Sequence, residues 1–311
     1  VGCPHPADVR SAALRDVRAR GPCLNVADMD TTPTTHPPAP TERPRYRPVE
    51  IAPETWVIQD TAGEDQPGPA VHMNSMLIRG AQPVVVDTGV PDNADRFFED
   101  LFGLVDPADV RWVFVSHDDI DHYGNVGELM RLCPDATLVT SWFLCERLGS
   151  ELDVAPTRWR WLGDGETLDV GDRTLSAIRP PLYDSPTTRG LFDPVTGVYW
   201  GSDCYACPVA TGTEFVDDLD PDEWAGGTGV FARWNSPWVD LVDADRYAAQ
   251  CRRIEELPLR AIASTHGPTI GASDLARAHE IIRSAPTLAT PPQPGQADLD
   301  AMLAALRPAA A

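Results

Sequence analysis

The chain of 311 residues carries 47 acidic and 25 basic side chains, a formal net charge of −22 at neutral pH. So acidic a surface repels phosphate backbones and argues against nucleic-acid processing. No apolar run is long enough for a membrane helix, no signal-peptide core opens the chain, and every basic residue is arginine, which excludes a Schiff-base or P-loop lysine.

Residues 1–47 read as an N-terminal arm: Ala7–Arg20 suits a short Arg-rich helix and the Pro/Thr run Thr31–Pro44 an extended linker. A core over residues 48–286 follows. Its early strands lead to a helix over Asn93–Leu104 and to the apolar run Val110–Val115, a short buried strand. A helix near Val126–Leu132 and a strand at Thr137–Thr140 come next. Hairpin-like material then runs from Arg158 to Ile178, with its turn at Val170-Gly-Asp. Residues 205–242 are expected to form a long loop carrying Phe215, Trp224, Phe231, Trp234 and Trp238. It either lids a site with aromatic walls or packs as ordinary surface or dimer contact. The helices Ala244–Glu256 and Ala272–Ser284 flank the strand Leu259–Ala263. Residues 287–311 hold a Pro-rich linker and a C-terminal helix. There Leu299, Met302, Leu303 and Leu306 recur at helical spacing, suited to docking on the core or on the second subunit of a homodimer.

The chemistry concentrates in Ser116-His-Asp-Asp-Ile-Asp-His-Tyr-Gly-Asn125, which places His117, Asp119, Asp121 and His122 within six residues. In an extended segment residues two apart share a face, so His117 and Asp119 can grip one ion. Once the chain turns, Asp121 and His122 are available to a second. A bare helix-capping turn would instead use one carboxylate and no imidazole. Of seven histidines, His5 and His36 fall in the arm and His279 in a helical stretch, leaving His72, His117, His122 and His266 as ligands. Seven scattered cysteines form no disulfide framework, which points to a reducing cytoplasm. Cys204 and Cys207 read either as a redox dithiol or as two small buried thiols.

The motif resembles the His-x-His-x-Asp-His block of the metallo-β-lactamase superfamily. Three further segments resemble that family in order: Ala81–Gly89 ending in Asp-Thr-Gly, Val198–Asp203, and Ala263–Pro268. The resemblance implies an α/β chain folded as an αββα sandwich with its site along one edge. Asp119, standing where the zinc hydrolases carry a second histidine, is closer to the glutamate of the flavodiiron and oxygen-binding diiron proteins. Met73–Ile78 and the block Ile178–Thr188 are similar to the same branch; its flavodiiron members append a flavodoxin domain that this chain is expected to lack, which puts it closer to the stand-alone oxygen-binding type. In that block the branch places a histidine where this chain has Asp184, with Tyr183 beside it.

Carried over residue by residue, the resemblance gives one metal His117, Asp119 and Asp184, the other Asp121, His122 and His266, with Asp203 bridging. His72 and Asp87 are expected to support these ligands, and Asp121 and Tyr183 to take part in catalysis. So oxygen-rich a set suits two iron ions, with manganese or zinc as alternatives. The leading expectation is a di-iron oxidoreductase acting on O2 or a related diatomic, fed by a separate electron donor, and oxidising a small organic substrate beneath the insert. A metal-dependent hydrolase of an ester, lactone, thioester or amide is the alternative, and a non-enzymatic oxygen sensor the third.

Overall fold

The structure, a computed structural model, describes residues 46–62, 70–209 and 213–306. The expected helix at Ala7–Arg20, His5 and His36 lie outside those residues. In chain order the first half runs β1 (Val49–Ala52), β2 (Thr55–Ile58), β3 (Thr61–Ala62), β4 (Val71–His72), β5 (Ser75–Ile78) and β6 (Val84–Val86). It continues through α1 (Ala94–Leu104), β7 (Trp112–Phe114), α2 (Ile120–Tyr123), α3 (Val126–Leu132), β8 (Thr137–Thr140), α4 (Trp142–Leu148) and β9 (Trp159–Trp161). The second half runs β10 (Thr167–Asp169), β11 (Thr174–Ile178), β12 (Gly190–Asp193), β13 (Val198–Trp200), α5 (Pro221–Asn235), α6 (Ala244–Glu255), β14 (Ala261–Ala263), β15 (Ile270–Gly271), α7 (Leu275–Ser284) and α8 (Gln296–Leu306).

One sheet has the order β1-β2-β5-β6-β7-β8-β9, the other β10-β11-β12-β13-β14-β15, and β3 pairs with β4. Alternation along each strand sorts its side chains into two layers. Val84, Val86 and Phe114 face the second sheet and meet Leu175, Leu191 and Trp200. Val85, Val113 and Val115 face the other way, beneath α1, α3 and α4 through Leu101, Leu129 and Leu144. On the far side Tyr199 and Ile262 lie under α5, α6 and α7. The result is the expected αββα sandwich, with each fully buried Leu, Val or Phe worth about 1.5–3 kcal/mol of burial.

Two expectations need correcting. Arg158–Ile178 is not one hairpin: β9 pairs parallel with β8 and closes the first sheet, while β10 and β11 open the second. The turn itself is where expected, with Asp169 paired to Thr174 and Gly171 at φ +93°, a conformation glycine adopts freely. Nor is the insert a loop. Pro221 fills the first turn of α5, and the Asp220 side chain caps it by accepting from the backbone N–H of Asp222 and Glu223. Gly227 and Gly229 inside α5 disguise it in the sequence. A Cβ on Gly227 would lie 2.8 Å from Cys207 Sγ, and one on Gly229 2.9 Å from Leu288 Cδ1, so close approach keeps them small. Leu299, Met302 and Leu303 of α8 are between 46% and 48% exposed, so their docking on the core is not observed. Among the described residues no helix is long and apolar enough to cross a membrane.

Candidate metal centre

Parallel pairing gathers the functional segments. β6 runs parallel to β7, and β13 to β14, so their carboxyl ends open on the same edge. Asp87 follows β6, Ser116–His122 follow β7, Asp203 follows β13 and His266 lies just beyond β14; Asp184 comes from the β11–β12 connection. The backbone then stitches these loops together. Arg189 N–H donates to Ser116 O at 2.8 Å, and Asn74 N–H to Thr265 O at 2.9 Å. Gly124 closes the turn behind the ligands: a Cβ there would sit 2.5 Å from Ile120 O and 2.7 Å from Gly89 O. Gly124→Ala is therefore expected to cost about 1–3 kcal/mol through overpacking, read as a lowered denaturation midpoint at unchanged m-value.

All seven expected ligands converge. His117, Asp119 and Asp184 form one group, Asp121, His122 and His266 a second, and His117, His122 and Asp203 a third that joins them. From His117 Nε2, Asp184 Oδ1 lies at 3.2 Å, Asp119 Oδ2 at 3.4 Å and Asp203 Oδ2 at 3.8 Å. The other oxygen of Asp203 faces the second group, 2.9 Å from His122 Nε2 and 3.4 Å from His266 Nε2. Asp121 Oδ2 completes that group, 3.1 Å from His266 Nε2. One carboxylate thus presents one oxygen to each position.

Each imidazole is aimed by its other nitrogen. His122 Nδ1 lies 2.9 Å from Asp87 Oδ2 and His266 Nδ1 2.8 Å from the His72 carbonyl. Both partners only accept, so the proton sits on Nδ1 and Nε2 is the atom that faces the cluster. His117 Nδ1 pairs with Thr188 Oγ1 at 2.9 Å. His72 contributes its main-chain carbonyl to this support. Asp87 gathers further donors around its carboxylate. It also accepts from Ser116 N–H at 2.7 Å, Ser116 Oγ at 2.6 Å and Trp200 Nε1 at 3.0 Å. Asp87 and Ser202 both hold positive φ, at 56° and 53°, so the loops beside the cluster carry backbone strain.

The cluster fits cations. His117 Nε2, His122 Nε2 and Asp203 Oδ1 are buried and point into the cluster, and despite the 2.9 Å between His122 Nε2 and Asp203 Oδ1 none of the three makes a well-aligned hydrogen bond. Buried polar atoms are ordinarily satisfied, and a ligated ion would satisfy these. Four carboxylates also balance two divalent charges. Without metal, protons take that place. Burial by itself would depress His117, but the carboxylates of Asp119 and Asp184 outweigh it and lift the ring to about 10. Burial likewise opposes charge on His266, and Asp121 and Asp203 lift it to about 10. Burial would raise Asp121, yet His266 and His122 hold it down at about 2.

These shifts fix a sign. The histidine contribution to metal-free stability is complete below 6.5 and lost as pH rises through about 10. The Asp121 contribution is complete above 3.8 and lost as pH falls through about 2. Metal must displace the histidine protons. From 6.5 toward 10, chelator-treated protein should therefore melt at falling temperatures while metal affinity rises. Thermal scans and metal titrations over that range check the opposed slopes; parallel slopes would contradict the arrangement.

Tyr183 lies outside the cluster. Its ring packs against Trp238 at 4.9 Å and under the Arg179 guanidinium at 5.0 Å, and no hydrogen bond joins it to a ligand among the described residues. Of the insert's aromatics, Phe231 reaches the site, 5.6 Å from the His266 ring, while Trp224 is core. Cys204 and Cys207 are buried free thiols. Cys207 Sγ lies 3.6 Å from the Pro208 carbonyl, and burial pushes both thiols up, away from the reactive thiolate. Sequence reading passed over Ser116, Thr188, Trp200 and Asn74, whose roles arise from long-range contacts. Only Ser116, adjacent to His117, carried a local signal.

Comparison with known proteins follows the same lines. Residues 68–267 match the profile of the metallo-beta-lactamase superfamily. A putative diflavin flavoprotein of Nostoc sp. is 28% identical over 198 residues, 63% of this chain and 33% of that protein. A nitric oxide reductase of Moorella thermoacetica is 24% identical over 62% of this chain and 48% of its own length. The chain thus spans about a third to a half of these curated relatives. Among solved structures, the rubredoxin oxygen:oxidoreductase of Desulfovibrio gigas superposes with a TM-score of 0.65 at 17% identity, covering 76% of this chain and 61% of that one. The flavodiiron protein of Giardia intestinalis gives 0.65 at 19% identity, over 78% and 60%.

Proposed function

Because the chain belongs to the metallo-beta-lactamase superfamily, we propose that its strand-end cluster holds two iron ions and serves an oxidoreductase acting on O2 or nitric oxide. The observation that carries this reading is the division of Asp203 between the two positions, one oxygen toward His117 and the other toward His122 and His266. The donor set of three imidazoles and four carboxylates suits iron better than zinc. The relatives it resembles include proteins named as a nitric oxide reductase and an oxygen:oxidoreductase.

When bound, an iron pair supplies the electrons and the Lewis acidity that reduction of a diatomic needs. The chain's own residues provide the frame. Asp203 fixes the separation of the two positions. Asp87 and the His72 carbonyl keep the Nδ1 protons of His122 and His266 in place, so both rings present Nε2 throughout. Phe231 shields the His266 side from water, while exposed Asp119 leaves the His117 side open to a small reactant. Asp121, partly exposed beside the second position, is the carboxylate able to exchange a metal contact for a proton. A separate donor would restore those electrons after each turnover.

Aerobically purified protein should contain iron and an optical band that bleaches on reduction and returns with O2 or nitric oxide, with the diatomic consumed. Colourless zinc protein that consumes neither and hydrolyses esters would replace this reading with the hydrolase.

A further inference from the structure

The two cation positions are built from unlike donors. The first has one imidazole, His117, and three carboxylates, Asp119, Asp184 and Oδ2 of Asp203. The second has two imidazoles, His122 and His266, and two carboxylates, Asp121 and Oδ1 of Asp203. Their surroundings differ in the same direction. The side chains of Asp119 and Asp184 are 62% and 24% exposed, whereas those of Asp121 and His266 are 15% and 10% exposed and His122 is fully buried.

A second feature makes the oxygen-rich position a built one. Asp118, between two ligands in sequence, has a side chain only 2% exposed. It accepts from Thr187 Oγ1 at 2.7 Å and pairs with Arg147 Nε at 2.7 Å, and Arg147 also reaches Ser185 Oγ at 3.3 Å. The loop of His117 and Asp119 is thereby tied to the residues that directly follow Asp184. The clamp thus anchors the segment that follows Asp184, whose Oδ1 lies 3.2 Å from His117 Nε2.

Oxygen donors in a wet setting select hard cations, while imidazole donors in a dry one favour zinc and later metals. We propose, resting on the two-metal reading above, that the position of His117, Asp119 and Asp184 is the harder of the two, favouring manganese or iron over zinc relative to its neighbour. Asp184 sets that difference. Every divalent site of this kind binds zinc more tightly than manganese in absolute terms, so the quantity that matters is the manganese-to-zinc ratio at one position against the other.

Crystals of the metal-free full chain, soaked with manganese in excess over zinc, give that ratio from anomalous scattering at each metal's edge. The expected result is a several-fold higher manganese-to-zinc ratio at the Asp184 position than at the His266 position. Asp184→His should bring the two ratios together by raising zinc at the first position alone; Asp184 is partly exposed, and a circular dichroism spectrum matched to the parent shows the variant folded. Equal ratios in the parent, or a difference that survives Asp184→His, overturns the inference while leaving two metals in place. Absence of metal from both positions overturns the two-metal reading with it.

Discussion

Asp203→Ala should strip metal from both positions at once, leaving dialysed protein close to metal-free where the parent retains two ions per chain. The two oxygens of this one carboxylate face different groups, at 3.8 Å from His117 Nε2 and 2.9 Å from His122 Nε2. Its loss leaves three side chains at each position and one negative charge too few for two dications in a buried setting. Removing one partner from a buried charge cluster costs about 3–5 kcal/mol, which corresponds to two or more orders of magnitude in affinity. The metal-free variant should also show a flatter pH dependence. Burial opposes charge on His122, and Asp203 is the largest influence lifting it well above its ordinary value. Without Asp203 the stability lost as pH rises through that range becomes smaller. Elemental analysis reads the first effect and thermal scans the second. Retention of both metals would show that Asp203 is not shared.

The sandwich and the convergence of the candidate side chains were largely legible in the sequence, for a local reason. Val84–Val86 and Val110–Val115 are short apolar runs ending directly in polar turns, one opening with Asp87 and the other carrying His117 to His122, and such junctions need no tertiary information. His117 Nε2 and Asp119 Oδ2 come within 3.4 Å, with Asp119 itself extended at φ −88° and ψ 150° although the chain bends there. Asp184 was harder: Asp-Ser-Pro also reads as a turn, and the contacts of Asp118 and Arg147 with Thr187 and Ser185, which anchor the segment after it, join residues far apart in sequence. The supporting contacts were less legible still. The His72 carbonyl lies 194 positions from the ring it holds, and Trp200 Nε1 reaches Asp87 across 113. The insert misled because glycines required by Cys207 and Leu288 lower the helix propensity of α5, while the Asp220 cap and packing restore it. The β9 strand misled because hairpin proximity in sequence competes with parallel pairing to β8, which buries one more edge of the first sheet.

Asp87→Asn should be nearly as damaging as the loss of a ligand, although Asp87 touches no metal position. Its carboxylate is fully buried and gathers four donors: the Ser116 amide, the Ser116 hydroxyl, the Trp200 indole and His122 Nδ1. Both oxygens are used, Oδ1 by the amide and Oδ2 by the other three. The amide of asparagine replaces one acceptor with a donor, so at least one buried N–H faces another, and the negative charge that steadies the His122 proton is gone. Buried donors left without an acceptor cost about 1–3 kcal/mol each, so a loss on the order of 3 kcal/mol is expected in metal-free protein, read as a lower denaturation midpoint. Freed from Asp87, the His122 ring can rotate or change tautomer, and a ligand whose support is removed typically loses about 10–100-fold in metal affinity. That loss should fall on the position of Asp121, His122 and His266, while the position of His117, Asp119 and Asp184 weakens less, because His117 is aimed by Thr188 instead. Position-resolved occupancy measured alongside stability tests both halves. Equal weakening at the two positions would mean that Asp87 supports the β6 turn as a whole and not the His122 ring.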